Sequence, residues 1–301
     1  KLHDDNKPAL QMENIMKYND IYPSMFLNYS VSIHIGPLDY ILIISPSPLI
    51  DKDISYNVDD VSVWYINNEE WFHSVFYQYG GILLRGFNIT NVYEFDYLLS
   101  QFHSDSNGTG LYLGTAPRRK IHGTKFVSTA SNIPMHFSIP THIELCYTVN
   151  SPPKLYFYAE EPNISPGGQT VLTDFREVWR QMPETLQHQL TSRGLIYERR
   201  YYNGNQVRPF DALQTKSWQD MFNTSNKTLV TLLSHAQQFE PSWDNNNLVL
   251  RHSANITNRH PITQDIYWNT HMNVLEATTH YIPYIWDAQL FQSKKSLFIG
   301  Y

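Results

Sequence analysis

The chain has 301 residues, 42% of them hydrophobic and 17% charged, enough apolar material for a packed core; that composition excludes disorder, collagen and coiled coil. Its net charge is −6, from 22 Lys and Arg against 28 Asp and Glu, and its basic clusters are short: Arg118-Arg119-Lys120, Arg199-Arg200 and Lys294-Lys295. Nothing resembles the basic stripe that phosphate backbones require, which argues against nucleic acid as a partner.

Aromatics at 14%, with 13 Gly and 17 Pro, favour strands punctuated by turns. The first 60 residues read as irregular and polar, with one apolar strand-like stretch at 40–45. They are expected to form an N-terminal segment packed on a main domain spanning 61–301. Apolar residues at Trp71, Phe72, Val75, Phe76 and Tyr79 have helical spacing and predict a helix over 69–79, stopped by Gly80-Gly81. A short buried strand at 82–84 follows, then a helix over 92–102 and a polar loop at 104–110. Residues 126–149 are strand-like, broken by Pro134 and Pro140, and 155–159 is the clearest strand. A turn at Ser165-Pro166-Gly167-Gly168 leads to a strand at 169–173, then a helix over 174–182 with Asp174 as N-cap. A second helix covers 183–192 and ends at Gly194; strands follow around 195–202, 243–251 and 266–269. Helices in front and strands behind predict an α+β fold with a β-barrel or jelly-roll centre.

Cys146 is the single cysteine, so neither an intrachain disulfide nor a Cys-based zinc or iron–sulfur site can form. That favours a reducing, cytoplasmic location. Seven Asn-x-Ser/Thr sequons, beginning at Asn28, Asn88, Asn107, Asn163, Asn223, Asn226 and Asn255, keep a secretory one open. No signal peptide is visible after the starting Lys1, and the longest apolar run, 40–44, is too short to span a bilayer.

There is no Walker-type loop, no His-Glu-x-x-His and no Gly-x-Ser-x-Gly. The informative pattern is His-x-Asp/Glu. On a strand, residues i and i+2 face the same way, so an imidazole and a carboxylate can reach one metal, as two-thirds of the facial triad of non-haem iron(II) oxygenases. His3-Asp4-Asp5 lies at the terminus and His103-Ser104-Asp105 opens a polar loop, whereas His142-Ile143-Glu144 sits in a strand-like stretch. By spacing alone, His142 and Glu144 could equally be ordinary, partly buried polar residues.

Context decides between these readings. Gly80-Gly81-Ile82-Leu83-Leu84-Arg85-Gly86-Phe87, Ala116-Pro117-Arg118, Ser128-Thr129 and Ile139-Pro140-Thr141-His142-Ile143-Glu144 occur in that order. They continue with Leu155-Tyr156-Phe157-Tyr158, Pro166-Gly167-Gly168-Gln169-Thr170, Asp174-Phe175-Arg176, His260-Pro261-Ile262-Thr263 and Tyr267-Trp268-Asn269. In order and spacing over 70–269, this set resembles the TauD/TfdA family of iron(II)- and 2-oxoglutarate-dependent dioxygenases. It looks nearest to the branch of clavaminate synthase-like and SyrP-like enzymes, which use His-x-Glu.

The resemblance implies a double-stranded β-helix (jelly roll) with flanking helices. It implies iron(II) held by His142 and Glu144, 2-oxoglutarate as cosubstrate with Thr170 on one carboxylate, and dioxygen as the oxidant. A small, polar, amino-acid-like substrate would be oxidised with release of succinate and carbon dioxide. Arg118 could face a substrate carboxylate. Arg85 and Trp268 read as structural, His260 as a turn residue and Cys146 as a small core residue. The family's third ligand, a distal His, and its 2-oxoglutarate Arg come on the closing strands. His271 and His280 follow Trp268-Asn269 too closely to match that ligand. Ligand, Arg and closing strands are therefore expected beyond Tyr301, and the 301 residues read as a fragment. Gln264-Asp265 stands where the family prefers Gly-Glu, so that turn is expected to differ. The competing reading is a truncated relative that keeps the scaffold and binds a partner or small acid without turnover.

Overall fold

A computed structural model describes residues 31–35, 41–46, 55–102, 114, 118–130, 139–148, 151–161, 170–206 and 216–271. The chain divides into two units. One takes residues 1–108, 122–127 and 158–162, and the other 109–121, 128–157 and 163–301.

In the first unit β1 (Val31–Ile35) pairs antiparallel with β2 (Leu42–Pro46), and β2 pairs parallel with β3 (Ile82–Leu84). A parallel pair needs a crossover, and α1 (Val58–Asn67) with α2 (Glu69–Tyr79) supplies it. Val31, Ile33, Leu42 and Ile44 bury one face of the sheet with period two. Trp64 and Tyr65 of α1 and Trp71, Phe72 and Val75 of α2 join them in a single cluster. Each aromatic buried this fully contributes about 1.5–3 kcal/mol of transfer free energy. The Asn57 side chain starts α1 by accepting from the N–H groups of Asp59 and Asp60, while Asp60 accepts from the Asn57 N–H in return. Gly80, at φ 75°, ends α2 in the left-handed region that other residues enter at a cost. After α3 (Val92–Phe102) begins, its Asp96 carboxylate accepts from the backbone N–H groups of Lys125 and Phe126 at 2.8 and 2.7 Å, which ties down the 122–127 loop.

In the second unit Asp174 caps α4 (Phe175–Gln181), accepting from the Arg176 N–H at 2.9 Å. The Arg176 guanidinium then spans Asp174 at 2.7 Å and Asp265 at 3.2 Å. Next come α5 (Glu184–Arg193) and β4 (Leu195–Tyr201). β4, β5 (Glu240–Asp244) and β6 (Asn247–Ala254) form an antiparallel sheet in the order β4-β6-β5. The strand expected at 243–251 is therefore a hairpin. Asn245 and Asn246 take φ 48° and 69°, the paired positive values that suit a two-residue turn. Between β4 and β5 lie α6 (Trp218–Phe222) and α7 (Lys227–Ala236), capped by the Ser217 and Asn226 side chains. Tyr201, Trp218, Met221, Phe222, Val230, Phe239, Leu248 and Leu250 make the main core here. A two-stranded sheet of β7 (Thr257–Arg259) and β8 (Ile266–Trp268) follows. Gln264, in its connecting turn, sits at φ 63°, a conformation glycine takes without strain.

Several expectations change. Residues before 60 are not uniformly irregular, since they include β1 and the start of α1. Among the described residues of 126–149, 155–159 and 169–173 no strand forms, and only an isolated bridge joins Lys120 to Ser128. Burial still alternates along 155–159: Leu155 and Phe157 are exposed while Tyr156 and Tyr158 are half-buried. The sequence alternation is real, but a ladder needs a neighbouring backbone, and no described segment supplies one. The architecture shown is thus mixed helix and sheet. His3, His103, His280, the 104–110 loop and Pro166-Gly167-Gly168-Gln169 lie outside the described residues. Among the described residues, no helix is long and apolar enough to cross a membrane.

Candidate metal and cosubstrate site

His142 and Glu144 belong to the second unit. They do not lie on a strand: 139–143 has no regular secondary structure, and a turn starts at Glu144. Pro140 has no N–H to give a neighbouring strand, and Leu145 takes φ 55°, which turns the chain away from an extended course. The Thr148 N–H and hydroxyl both donate to the Leu145 carbonyl at 2.8 Å, and the Ser151 hydroxyl donates to the Glu144 carbonyl at 2.8 Å.

The two side chains nevertheless converge, with His142 Nε2 3.7 Å from Glu144 Oε2. Nitrogen and oxygen donors that share one ion at about 2.0–2.2 Å stand no more than about 4.4 Å apart, so this pair fits a common metal. His142 Nδ1 lies 2.8 Å from the Pro140 carbonyl, which can only accept. In the neutral ring the proton is therefore on Nδ1 and the lone pair on Nε2, the arrangement that second-layer carbonyls give metal-binding histidines. The Glu144 carboxylate raises the His142 pKa, burial lowers it, the Pro140 carbonyl reinforces the rise and Arg118 opposes it.

Arg118 comes to the same point, its Nη2 3.0 Å from Glu144 Oε2, with both side chains mostly shielded from solvent. Half-buried Lys216 is also nearby; burial lowers its pKa, and the Arg118 charge contributes to that fall. Thr170 is exposed, and among the described residues no hydrogen bond joins it to His142 or Glu144. Cys146 is buried against Tyr147 and Tyr197, and its thiol is pushed up to about 12, mainly by burial. It packs as a core residue. Trp268 is buried and stacks on Trp179, while His260 Nδ1 accepts turn N–H groups from Ile262 and Thr263. The exposed Arg85 contributes its backbone N–H to the Ile44 carbonyl.

The structure adds His271. Its Nε2 donates to the Ile143 carbonyl at 2.7 Å, and its ring meets the His142 ring edge-on with centroids 5.1 Å apart. Burial, and then His142, lowers its pKa to about 4. By its spacing from Trp268-Asn269, His271 does not match the distal ligand, and no local period reports a contact with Ile143, 128 positions away. Behind it, Tyr197 of β4 accepts the His271 backbone N–H at 2.7 Å, and the buried Arg199 guanidinium covers the Tyr147 ring at 4.5 Å. Among the described residues, no group of three His, Cys, Asp or Glu side chains closes around one point.

Comparison with known proteins gives this geometry its setting. Over 205 residues the chain is 24% identical to the dapdiamide synthesis protein DdaC of Enterobacter agglomerans, covering 68% of this chain and 58% of that protein. Over 166 residues it is 30% identical to a clavaminate synthase-like protein of Arabidopsis thaliana, covering 54% of this chain and 47% of that one. The chain thus spans about half the length of the curated relatives it matches. Residues 45–292 match the family model described as taurine catabolism dioxygenase TauD, TfdA family, a stretch that holds His142, Glu144, Arg118 and Thr170 together, and the chain belongs to that family.

Proposed function

We propose that the protein is an iron(II)- and 2-oxoglutarate-dependent dioxygenase acting on a small, polar, amino-acid-like substrate. The observation that carries this reading is the convergence of His142 Nε2 and Glu144 Oε2, 3.7 Å apart, with the His142 lone pair aimed by the Pro140 carbonyl. Bound iron(II) with 2-oxoglutarate supplies the activation of dioxygen, with release of succinate and carbon dioxide. His142 and Glu144 hold the metal. Thr170 donates its hydroxyl to a 2-oxoglutarate carboxylate, a role that rests on its place in the family motif. Arg118 orients a substrate carboxylate, and the support for this is that its guanidinium reaches the donor pair, with Nη2 3.0 Å from Glu144 Oε2. The third ligand is a His outside the described residues, and the finer architecture is the family's jelly roll over 61–301.

In the full-length protein, His142→Ala and Glu144→Ala should each reduce iron(II)-dependent succinate formation from 2-oxoglutarate to background. Wild-type turnover in both variants would refute the metal assignment.

A second reading has its own observation. Arg118 neutralises Glu144 directly, as it would in a relative that keeps the scaffold and binds a partner or small acid without turnover. An intact protein that takes up no iron(II) and forms no succinate would favour it.

A further inference from the structure

We propose that His271 is a positioning residue for the His142–Glu144 pair, locking the peptide between the two donors from across the fold. The inference rests on the metal role proposed above and extends it to a residue that the ligand pattern does not contain.

The Ile143 carbonyl belongs to the peptide that joins Ile143 to Glu144. Its direction sets where Glu144 leaves the chain, and hence where the carboxylate points. Among the described residues that carbonyl has two donors: the Cys146 N–H at 3.4 Å, which is long, and His271 Nε2 at 2.7 Å, which is short. His271 thus provides the stronger restraint. The same ring stands at 83° to the His142 ring, so it also limits rotation of the imidazole whose Nε2 must face the ion. One side chain therefore acts on both donors.

His271 is itself held in place. Its backbone N–H donates to the Tyr197 hydroxyl, its ring meets the Tyr147 ring edge-on with centroids 4.9 Å apart, and it is buried. Because a carbonyl only accepts, Nε2 carries the proton in this bond. Glutamine can present an amide N–H at a similar reach. Phenylalanine fills the space without a donor, and asparagine is one methylene too short. The local bonds of Thr148 and Ser151 go to the Leu145 and Glu144 carbonyls, which leaves the long Cys146 contact as the local restraint on the Ile143 carbonyl.

The test is iron(II) binding to the full-length protein without oxygen, titrated with the metal alone and followed by calorimetry. Near-UV circular dichroism shows whether each variant has folded. His271→Phe and His271→Asn should each weaken iron(II) binding by about tenfold or more, in the range typical of lost outer-layer support, while His271→Gln restores it to within about threefold of wild type. Two such variants are used so that a folding failure in one leaves the other to decide. Wild-type affinity in the Phe and Asn variants would overturn the proposal. So would a His271→Gln variant that loses iron as completely as His142→Ala, because His271 would then be a ligand itself. His142→Ala, run alongside, separates the two levels: undiminished iron binding there would remove the site and the proposal with it.

Discussion

In the first unit, aromatic side chains from α1 and α2 lie against the Val31, Ile33, Leu42 and Ile44 face of the sheet in one continuous cluster. The second unit instead divides its apolar residues between two clusters, and its catalytic candidates stand beside the smaller one, made of Cys146, Tyr147 and Tyr197. Its precision comes from directional bonds: Tyr197 to His271, His271 to Ile143 and Pro140 to His142. The contrast is between non-directional burial, which tolerates small displacements, and a polar chain in which each partner fixes the next. A site that must hold two donors within reach of one ion needs the second kind.

The largest effect should come from breaking the first kind. Trp64 is 1% exposed and packs edge-on against Phe72 and stacked against Phe87. Trp64→Ala should cost about 3–5 kcal/mol, read as faster hydrogen exchange of α1 and α2 amides and a lower denaturant midpoint. A cost below about 1 kcal/mol would mean that this cluster does not carry the unit.

The second kind can be tested on one strand. Tyr197 and Tyr201 lie on the same buried face of β4, four positions apart. Tyr197→Phe removes the oxygen that accepts the buried His271 N–H, and should cost about 1–3 kcal/mol. Tyr201→Phe removes a buried hydroxyl that has no hydrogen-bond partner among the described residues, so stability should hold or rise slightly. Urea titrations of the two variants decide the matter. Equal costs would show that ring packing, and not the hydroxyl bond, governs this face.

The same contrast explains what could be read from the sequence. The helices at 69–79 and 92–102 are legible to the residue, because Trp71, Phe72 and Val75 repeat along a face and Gly80 stops the chain. The α1 helix carries a signal that apolar spacing alone passes over, the reciprocal cap of Asn57 and Asp60. For α6 and α7 the corresponding signals are Ser217 and Asn226. His142 and Glu144 are legible as a pair from their motif, but the i, i+2 strand argument gives the wrong reason for their meeting. They converge where an irregular run enters a turn. His271 is beyond any local reading, since its bond to Ile143 spans 128 positions.

The smallest effect lies on the outer face of β4, where directional bonds meet water. Glu198 stands opposite Arg251 in the ladder and accepts from it at 2.7 and 2.8 Å, with Arg200 beside it at 2.7 Å. The Arg251 hydrogen bond holds the Glu198 carboxyl below the usual carboxylate range; burial opposes this and Arg200 assists. A carboxylate depressed in the folded state gives its full stabilisation above the unfolded value of about 4.3, and loses it as pH falls from there through the folded value. Glu198→Gln should therefore lower the melting temperature slightly at pH 7, by the equivalent of at most about 1 kcal/mol because both arginines are substantially exposed. The wild-type advantage should shrink as pH falls below the unfolded value of about 4.3, and in about 1 M salt as well. If it persists unchanged in acid and in salt, the charge of Glu198 is irrelevant, and its side chain acts on this strand pair by packing, as the first unit does.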